Sequence, residues 1–309
     1  MKASILIPVY NRASTIARTL TSIANIENVA EIIVVDDCST DDTPNVIQNL
    51  HIENLIYIRL NDKQNGNVAR NIAASTSTGD ILMFLDSDDE FCDGRVNDLL
   101  TYYENSNADL VIDTFITEKK GQQTWFSFKN LNLSLKDIFE GLVCNAIPLT
   151  FSSISVRRDC FFEIGSLDNK TLRHQDRDFL FTSISYNRSI HLRNSANVIK
   201  HQSKDSFSRS AAGYMRALNW IAQKHNIFED PRFINIKIYL IARSLIGSLL
   251  RGQIGLFMNN YYEYRKSEAL INSTPLSLRA YLDGKAYRKK VEKSLILQND
   301  SSDYVNTKS

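Results

Sequence analysis

The chain of 309 residues is poor in the residues that break or staple a fold. Eleven glycines and five prolines are too few for long flexible linkers, low-complexity stretches or a collagen-like repeat. The four cysteines, Cys38, Cys92, Cys144 and Cys160, form no CxxC pair and have no closely spaced histidine. Neither a closed zinc site nor a disulfide framework is therefore expected, and a reducing compartment is. A formal charge of +1 provides no global field to recruit nucleic acid. The apolar run in the first twelve residues is too short for a signal peptide, and no stretch of about 18 apolar residues would span a bilayer. There is no GxxxxGK[ST], GxGxxG or GxSxG, which leaves little support for a P-loop ATPase, a nicotinamide enzyme or an elbow-type hydrolase. The expectation is a cytoplasmic globular protein of one large or two medium domains.

What is present is a core-forming composition, 43% hydrophobic and 10% aromatic, with an uneven charge distribution. Residues 210–309 carry 15 Lys+Arg against 8 Asp+Glu, whereas residues 1–209 carry 21 against 27. Strand and helix patterns alternate through the first 116 residues. Apolar runs at 3–9, 31–35, 55–60, 81–85 and 109–116 hardly alternate, as strands buried on both faces do not. Helical spacing falls at 14–25, 44–50, 66–77 and 94–105, with Thr43 expected to cap and Pro44 to sit in the first turn. This order predicts an α/β fold with a mostly parallel sheet flanked by helices. Beyond 117 the alternation weakens, with helices near 134–142 and 173–186 and strands at 189–193 and 197–201. Helices are then expected at 211–225, 232–250, 253–271 and 276–296, before a frayed tail from Asn299. The boundaries that follow are 1–209, divided into 1–116 and 117–209, and a helical region 210–309.

Ligands of open parallel sheets bind at the carboxyl ends of the strands. Those ends carry Tyr10-Asn11-Arg12, Asp36-Asp37 and Asp86-Ser87-Asp88-Asp89. Five carboxylates at one sheet edge call for a counter-charge, for which a divalent cation is suited. For Asp41 and Asp42 a cap or turn role is preferred.

The runs Ser4–Asn11, Ile33–Asp41, Gly66–Asn71, Thr78–Asp80 and Phe84–Asp89 together resemble the family 2 inverting glycosyltransferases of the GT-A fold, over roughly residues 1–205. The resemblance implies a metal-dependent transfer of a sugar from a nucleotide-sugar to a glycan or lipid-linked glycan, as in bacterial surface polysaccharide or lipooligosaccharide synthesis. It implies that Pro8, Val9 and Tyr10 floor the nucleobase and ribose, with Asn11 and Arg12 continuing the nucleotide site. Asp37 would accept the imide N–H of uracil or thymine, and Arg70 would reach the base or diphosphate. Asn65 would stand for the family's N-x-G asparagine, although the segment to Arg70 is shortened. Asp86 and Ser87 would lie on the ribose side, and Asp88 would hold Mn2+ or Mg2+. Asp176, in His174-Gln175-Asp176-Arg177-Asp178, would be the general base, with Asp178 as the alternative. Both aspartates could instead complement a helix dipole. His201 would be a third metal ligand or a diphosphate contact. Two departures stand out: Gly94 lies where a proline is common, and Gln175 replaces the usual glutamate.

The stretch Arg279–Lys293 has a net charge of +4. It suits either peripheral contact with an anionic bilayer or a solvated face of a helix packed on the catalytic domain or on a second copy. Two rivals to the transferase reading stay open: a sugar-1-phosphate nucleotidylyltransferase, and a non-catalytic nucleotide-binding protein on a degenerate transferase fold.

Overall fold

Ile- and Val-rich strands without polar alternation persist only where both faces are covered. The computed structural model, which describes residues 1–201, 220–227, 230, 233–250, 254–255, 258 and 278–299, satisfies that condition for the runs at 3–9, 31–36 and 81–84, while 55–59 is a half-exposed edge. Strands β1 (Ala3–Val9), β2 (Val29–Asp36), β3 (Leu55–Arg59) and β4 (Ile81–Phe84) lie parallel to one another. Between them run α1 (Ile16–Thr21), α2 (Thr43–Asn49) and α3 (Gly66–Thr76). Thr43 proves to be the first residue of α2 rather than its cap. Its hydroxyl accepts the Arg12 N–H at 2.7 Å, while Asp41 accepts the Thr43 N–H at 3.0 Å. The cap reading preferred for Asp41 thus describes it.

After the short β5 (Glu90–Phe91) comes α4 (Arg95–Glu104), entered through Gly94 at φ +78°. Proline is locked near −65°, so Gly94 could not be exchanged for it without rebuilding the turn. The strand expected at 109–116 is two strands in two sheets: β6 (Leu110–Asp113) and β7 (Ile116–Lys119). The break follows from Asp113, whose fully buried carboxylate is held by Arg95 at 2.8 Å and Arg193 at 3.0 Å. A buried charge with two partners ends the first sheet's hydrophobic run, and the chain crosses to the second.

Strand β8 (Gln122–Phe128) forms a hairpin with β7 around Lys120-Gly121, both at positive φ as a tight two-residue hairpin demands. Helix α5 (Leu135–Val143) begins with a Ser134–Asp137 capping box. Then β9 (Ile154–Arg157) inserts antiparallel between β4 and β6. It is followed by α6 (Arg158–Glu163), α7 (Gln175–Ser185), β10 (Ile190–Arg193) and β11 (Val198–His201). The main sheet has the order β10-β6-β9-β4-β1-β2-β3, parallel except for β9. Architecture and direction match the α/β expectation.

The basic end of the chain docks onto this body. Helix α8 (Ile234–Leu250) lies against α9 (Leu278–Leu295), and the chain ends its described course in β12 (Ile296–Asn299). A Cβ at Gly284 would fall 2.0 Å from the Asn235 carbonyl oxygen, so the two backbones touch there. The expected helix end at 296 and the placing of Asn299 in the tail are corrected at this point. Ile296–Asn299 pairs antiparallel with β8, completing a second sheet of order β12-β8-β7-β11-β5. Residues 253–271, apart from 254, 255 and 258, and most of 211–225 lie outside the described residues, as does the tail from 300. Among the described residues no helix is long and apolar enough to cross a membrane.

Candidate active site

The carboxyl ends of β1, β2 and β4 point to one side of the main sheet, and α7 starts beside them. A cleft of about 310 Å3 there is lined by Arg70, Asp86, Thr150, Phe151, Gln175 and Asp176, with His174 and Lys200 at its wall. The structure therefore brings together one carboxylate of the Asp86–Asp88 run and the proposed base, 90 residues apart in sequence.

Asp86 is anchored on both sides. Arg70 Nη2 lies 2.5 Å from Oδ1, and the Asp86 N–H donates to Ser152 Oγ at 3.0 Å. Arg70 is itself buried, stacks 4.1 Å above the Phe151 ring and donates to Gln175 Oε1 at 3.2 Å. Phe151 packs edge-on against Phe84 at 5.2 Å, which ties the cleft floor to the core below β4. Asn65, expected at the nucleotide, caps α3: its side chain accepts the Asn67 and Val68 N–H groups at 2.9 and 3.3 Å.

The five carboxylates divide into two kinds. Asp36 is fully buried and serves the scaffold, accepting the Ser39 N–H at 2.8 Å and the Tyr57 hydroxyl at 2.7 Å. Burial and this carboxylate together push the Tyr57 phenol well above its ordinary range. Asp89 is also buried and is tied to Ser152 Oγ at 2.7 Å. Burial and the Asp86 charge drive its acidity down, that is, its pKa up. Of the other three, Asp86 lines the cleft, Asp88 is half-buried and Asp37 is buried. Burial raises the pKa of Asp37, against the opposing Gln64 N–H, which donates to its Oδ1 at 2.6 Å, and the Lys63 charge. Burial and then Asp86 raise that of Asp88, with Arg12 and Lys200 opposing. Arg12 Nε stands 3.8 Å from Asp88 Oδ2.

Val9 is buried and Tyr10 half-buried, with Lys63 Nζ 3.5 Å from the Tyr10 ring centroid. Asn11 takes φ +51° and is clamped to the loop after β2, its N–H donating to Ser39 Oγ at 2.9 Å. Ser87 is buried, and its carbonyl accepts the Thr15 hydroxyl at 3.0 Å.

Asp176 lies in the first turn of α7, where Oδ1 accepts the Arg177 N–H at 2.8 Å. The alternative, Asp178, is consumed by structure: it accepts from Thr171 at 2.8 Å and Lys224 at 2.9 Å, and lies 2.7 Å from His225 Nε2. His174 precedes the helix at φ +52°, a strained position for a residue with a Cβ. Burial, with Arg177 and Arg173 beside it, pulls its pKa down to about 4, so it is neutral at pH 7. His201 has Nε2 2.5 Å from Glu90 and Nδ1 3.5 Å from Glu118. It thereby links β11 to β5 and β7.

Asp88 is the one carboxylate here, among the described residues, that would offer an oxygen to a divalent cation. The carboxylate is desolvated, repelled by Asp86 and offers the hard oxygen such ions take. Among the described residues no three His, Cys, Asp or Glu side chains converge, so phosphate oxygens and water would complete the shell.

Sequence reasoning missed Thr150, Ser152 and Lys200. Ser152 is set by the core: its carbonyl accepts from Arg95 at 3.1 Å, and Arg95 is held by Asp113. Nothing in a Thr-Phe-Ser-Ser run marks hydroxyls that meet an aspartate some 60 residues earlier.

Residues 4–163 match the model of Glycosyl transferase family 2. The chain belongs to this family. It is 29% identical over 189 residues to poly(ribitol-phosphate) beta-N-acetylglucosaminyltransferase TarP of Staphylococcus aureus, covering 59% of this chain and 56% of the relative. It is 31% identical over 134 residues to the GalNAc(5)-diNAcBac-PP-undecaprenol beta-1,3-glucosyltransferase of Campylobacter jejuni, covering 42% and 43%. The matched stretch thus spans about half the length of these two relatives. The crystal structure of S. aureus TarS 1–349 in complex with UDP-GlcNAc superposes with a TM-score of 0.59 at 17% identity, covering 94% of this chain and 81% of that one. That likeness establishes the GT-A fold. Membership of this family leaves the nucleotidylyltransferase reading without support.

Proposed function

We propose that the chain transfers a sugar from a UDP-sugar to a hydroxyl of a polymeric or lipid-linked glycan in surface polysaccharide synthesis, with inversion at the anomeric carbon. The observation that carries this reading is the shared cleft of Asp86 and Asp176 at the carboxyl end of β4. The two relatives named above act on a polymer and on a diphosphate-linked lipid, by their names.

In this reading Asp37 takes the imide N–H of the base, its Oδ1 already occupied by Gln64. Tyr10 lies under the nucleoside. Asp88 would hold Mn2+ or Mg2+, which when bound neutralises the charge of the departing diphosphate. Asp86 is fixed by Arg70 and supports the ribose side. Asp176 removes the acceptor proton as the hydroxyl attacks, and its oxygen not used by the Arg177 N–H is the acceptor for that proton. Gln175 holds Arg70 in place without adding a charge beside the base.

Calorimetric titration with UDP, TDP and GDP, with Mn2+ and then with EDTA, tests the donor side. Mn2+-dependent binding of UDP is the expected result, and binding of none of the three would overturn the reading. Turnover of UDP-sugars by Asp176→Asn tests the base: undiminished transfer would remove Asp176 from the mechanism, and absent transfer in the native chain with intact UDP binding would favour the binding-only rival.

A further inference from the structure

A second recess of about 560 Å3 opens beside the donor cleft, between the second sheet, the 145–149 loop and α9. Its wall includes Trp125, Phe126, Arg177, Lys200, Arg288 and Glu292. Lys200 lines both spaces, so cleft and groove meet there, and Arg177 follows the proposed base in the first turn of α7. The groove thus begins where an acceptor would lie with its hydroxyl at Asp176.

Its charge is unusual for a recess walled by aromatic rings. Among the described lining residues three cations face one carboxylate. Arg177 is held by neutral oxygens, donating to the Leu142 carbonyl at 2.8 Å and the Ile147 carbonyl at 3.3 Å. Arg288 pairs with Glu292 at 2.8 Å and donates to the Asn145 carbonyl at 3.3 Å, yet its Nε is buried with no hydrogen-bond partner. That Nε is closed to a ligand, but the guanidinium lines the recess, and its terminal N–H groups are of the kind that take an anionic oxygen. Trp125, half-buried at the wall, offers flat apolar surface of the kind on which a sugar ring's C–H face rests, while Phe126 is buried behind it in the core.

We propose that this groove is an anion subsite for the acceptor: it receives a phosphate group that the acceptor glycan carries near the attacked hydroxyl, with Arg288 as its principal donor and Lys200 and Arg177 supplying charge. The proposal rests on the transferase reading above and extends it to the acceptor class. It also gives the basic end of the chain a task, since Arg288 comes from α9.

The test uses the full chain saturated with UDP and Mn2+, so that the donor site is filled. It is titrated with ribitol, ribitol 5-phosphate and a citronellyl diphosphate–linked GlcNAc. Both phosphorylated compounds should bind at least about tenfold more tightly than ribitol, a preference that fades with salt. Arg288→Gln should weaken them about tenfold, Arg288→Lys should recover part of the loss, and UDP affinity should stay constant throughout. A tighter diphosphate would assign a lipid-linked acceptor, and a monophosphate bound as well or better a phosphate-containing polymer. Equal binding of ribitol and its phosphate would overturn the proposal, as would an Arg288→Gln chain of native melting temperature with unchanged phosphate affinity. The ribitol comparison on the native chain decides even if the variant fails to fold. Loss of UDP binding itself would instead sink the transferase reading.

Discussion

The proposed donor side and the proposed acceptor side of this molecule are built by different means. The donor side hangs on consecutive parallel strands whose ends deliver Tyr10, Asp37 and Asp88 from adjacent positions in one sheet. The acceptor side is assembled from distant segments: α7, β8, the 145–149 loop and the returning α9 and β12. The family match runs from β1 to α6, taking in β8 and the 145–149 loop, and stops before α7, α9 and β12. A ligand common to many enzymes can be met by a continuous, rigid sheet edge, while a particular acceptor is met by parts that can be exchanged without disturbing it.

The sharpest way to break this comparison is at the junction. Asp176→Asn should lower kcat by about a thousandfold, the scale of a lost general base, and leave UDP affinity within twofold. Asp88→Asn should do the reverse, abolishing the Mn2+ dependence of UDP binding and lowering turnover about a hundredfold. Calorimetry and initial rates on the same two preparations check both. If Asp88→Asn retained metal-linked UDP binding, the cation would have to sit elsewhere.

The same division explains what could be read beforehand. Parallel strands buried on both faces announce themselves as apolar runs, and each ends in its own polar cluster, so Asp37, Asp86 and Asp88 were legible with their setting. Arg70 was legible as a residue of the site, but not its clamp on Asp86, which requires α3 to lie beside β4. Ser152 and Thr150 were not legible, because β9 enters the sheet antiparallel from 70 residues away and short hydroxyl side chains carry no pattern. Nor was β12: four residues continuing a helical run have no period long enough to declare a strand. Asn65 and Asp178 show the converse, since a cap and a buried ion pair resemble site residues until their partners are seen.

A change far from the chemistry should separate the two sides by stability. Gly284→Val would drive a side chain into the Asn235 carbonyl, where even a Cβ lies at 2.0 Å, and overpacking of this kind costs about 3 kcal/mol. The α8–α9 contact should loosen, with a lower melting temperature and a higher acceptor KM. UDP affinity should hold, because among the described residues the helix pair packs mainly on itself and on α5 and not on the donor strands. A matching loss of UDP affinity would mean that the two sides fold as one indivisible unit.

The smallest effect concerns the pin between α7 and residues 220–227. Asp178 is almost fully buried and is bound by Thr171, Lys224 and His225, whose hydrogen bonds hold its pKa below the ordinary carboxylate value against the opposing effect of burial. Lys224 is shifted up by Asp168 and Asp178, again against burial. A depressed carboxylate stabilises the fold fully above its unfolded value near pH 4, and the contribution is lost as pH falls through the lower folded value. The raised lysine contributes fully below its ordinary value near pH 10.5 and loses that contribution as pH rises past its folded value. Asp178→Asn should therefore cost about 2 kcal/mol at neutral pH, part of it screened by solvent at Lys224. In denaturant titrations from pH 7 to pH 3 the gap between native and variant chains should close toward the acid end. A gap that stayed constant with pH would show that shape, and not charge, fastens the segment beneath the proposed base.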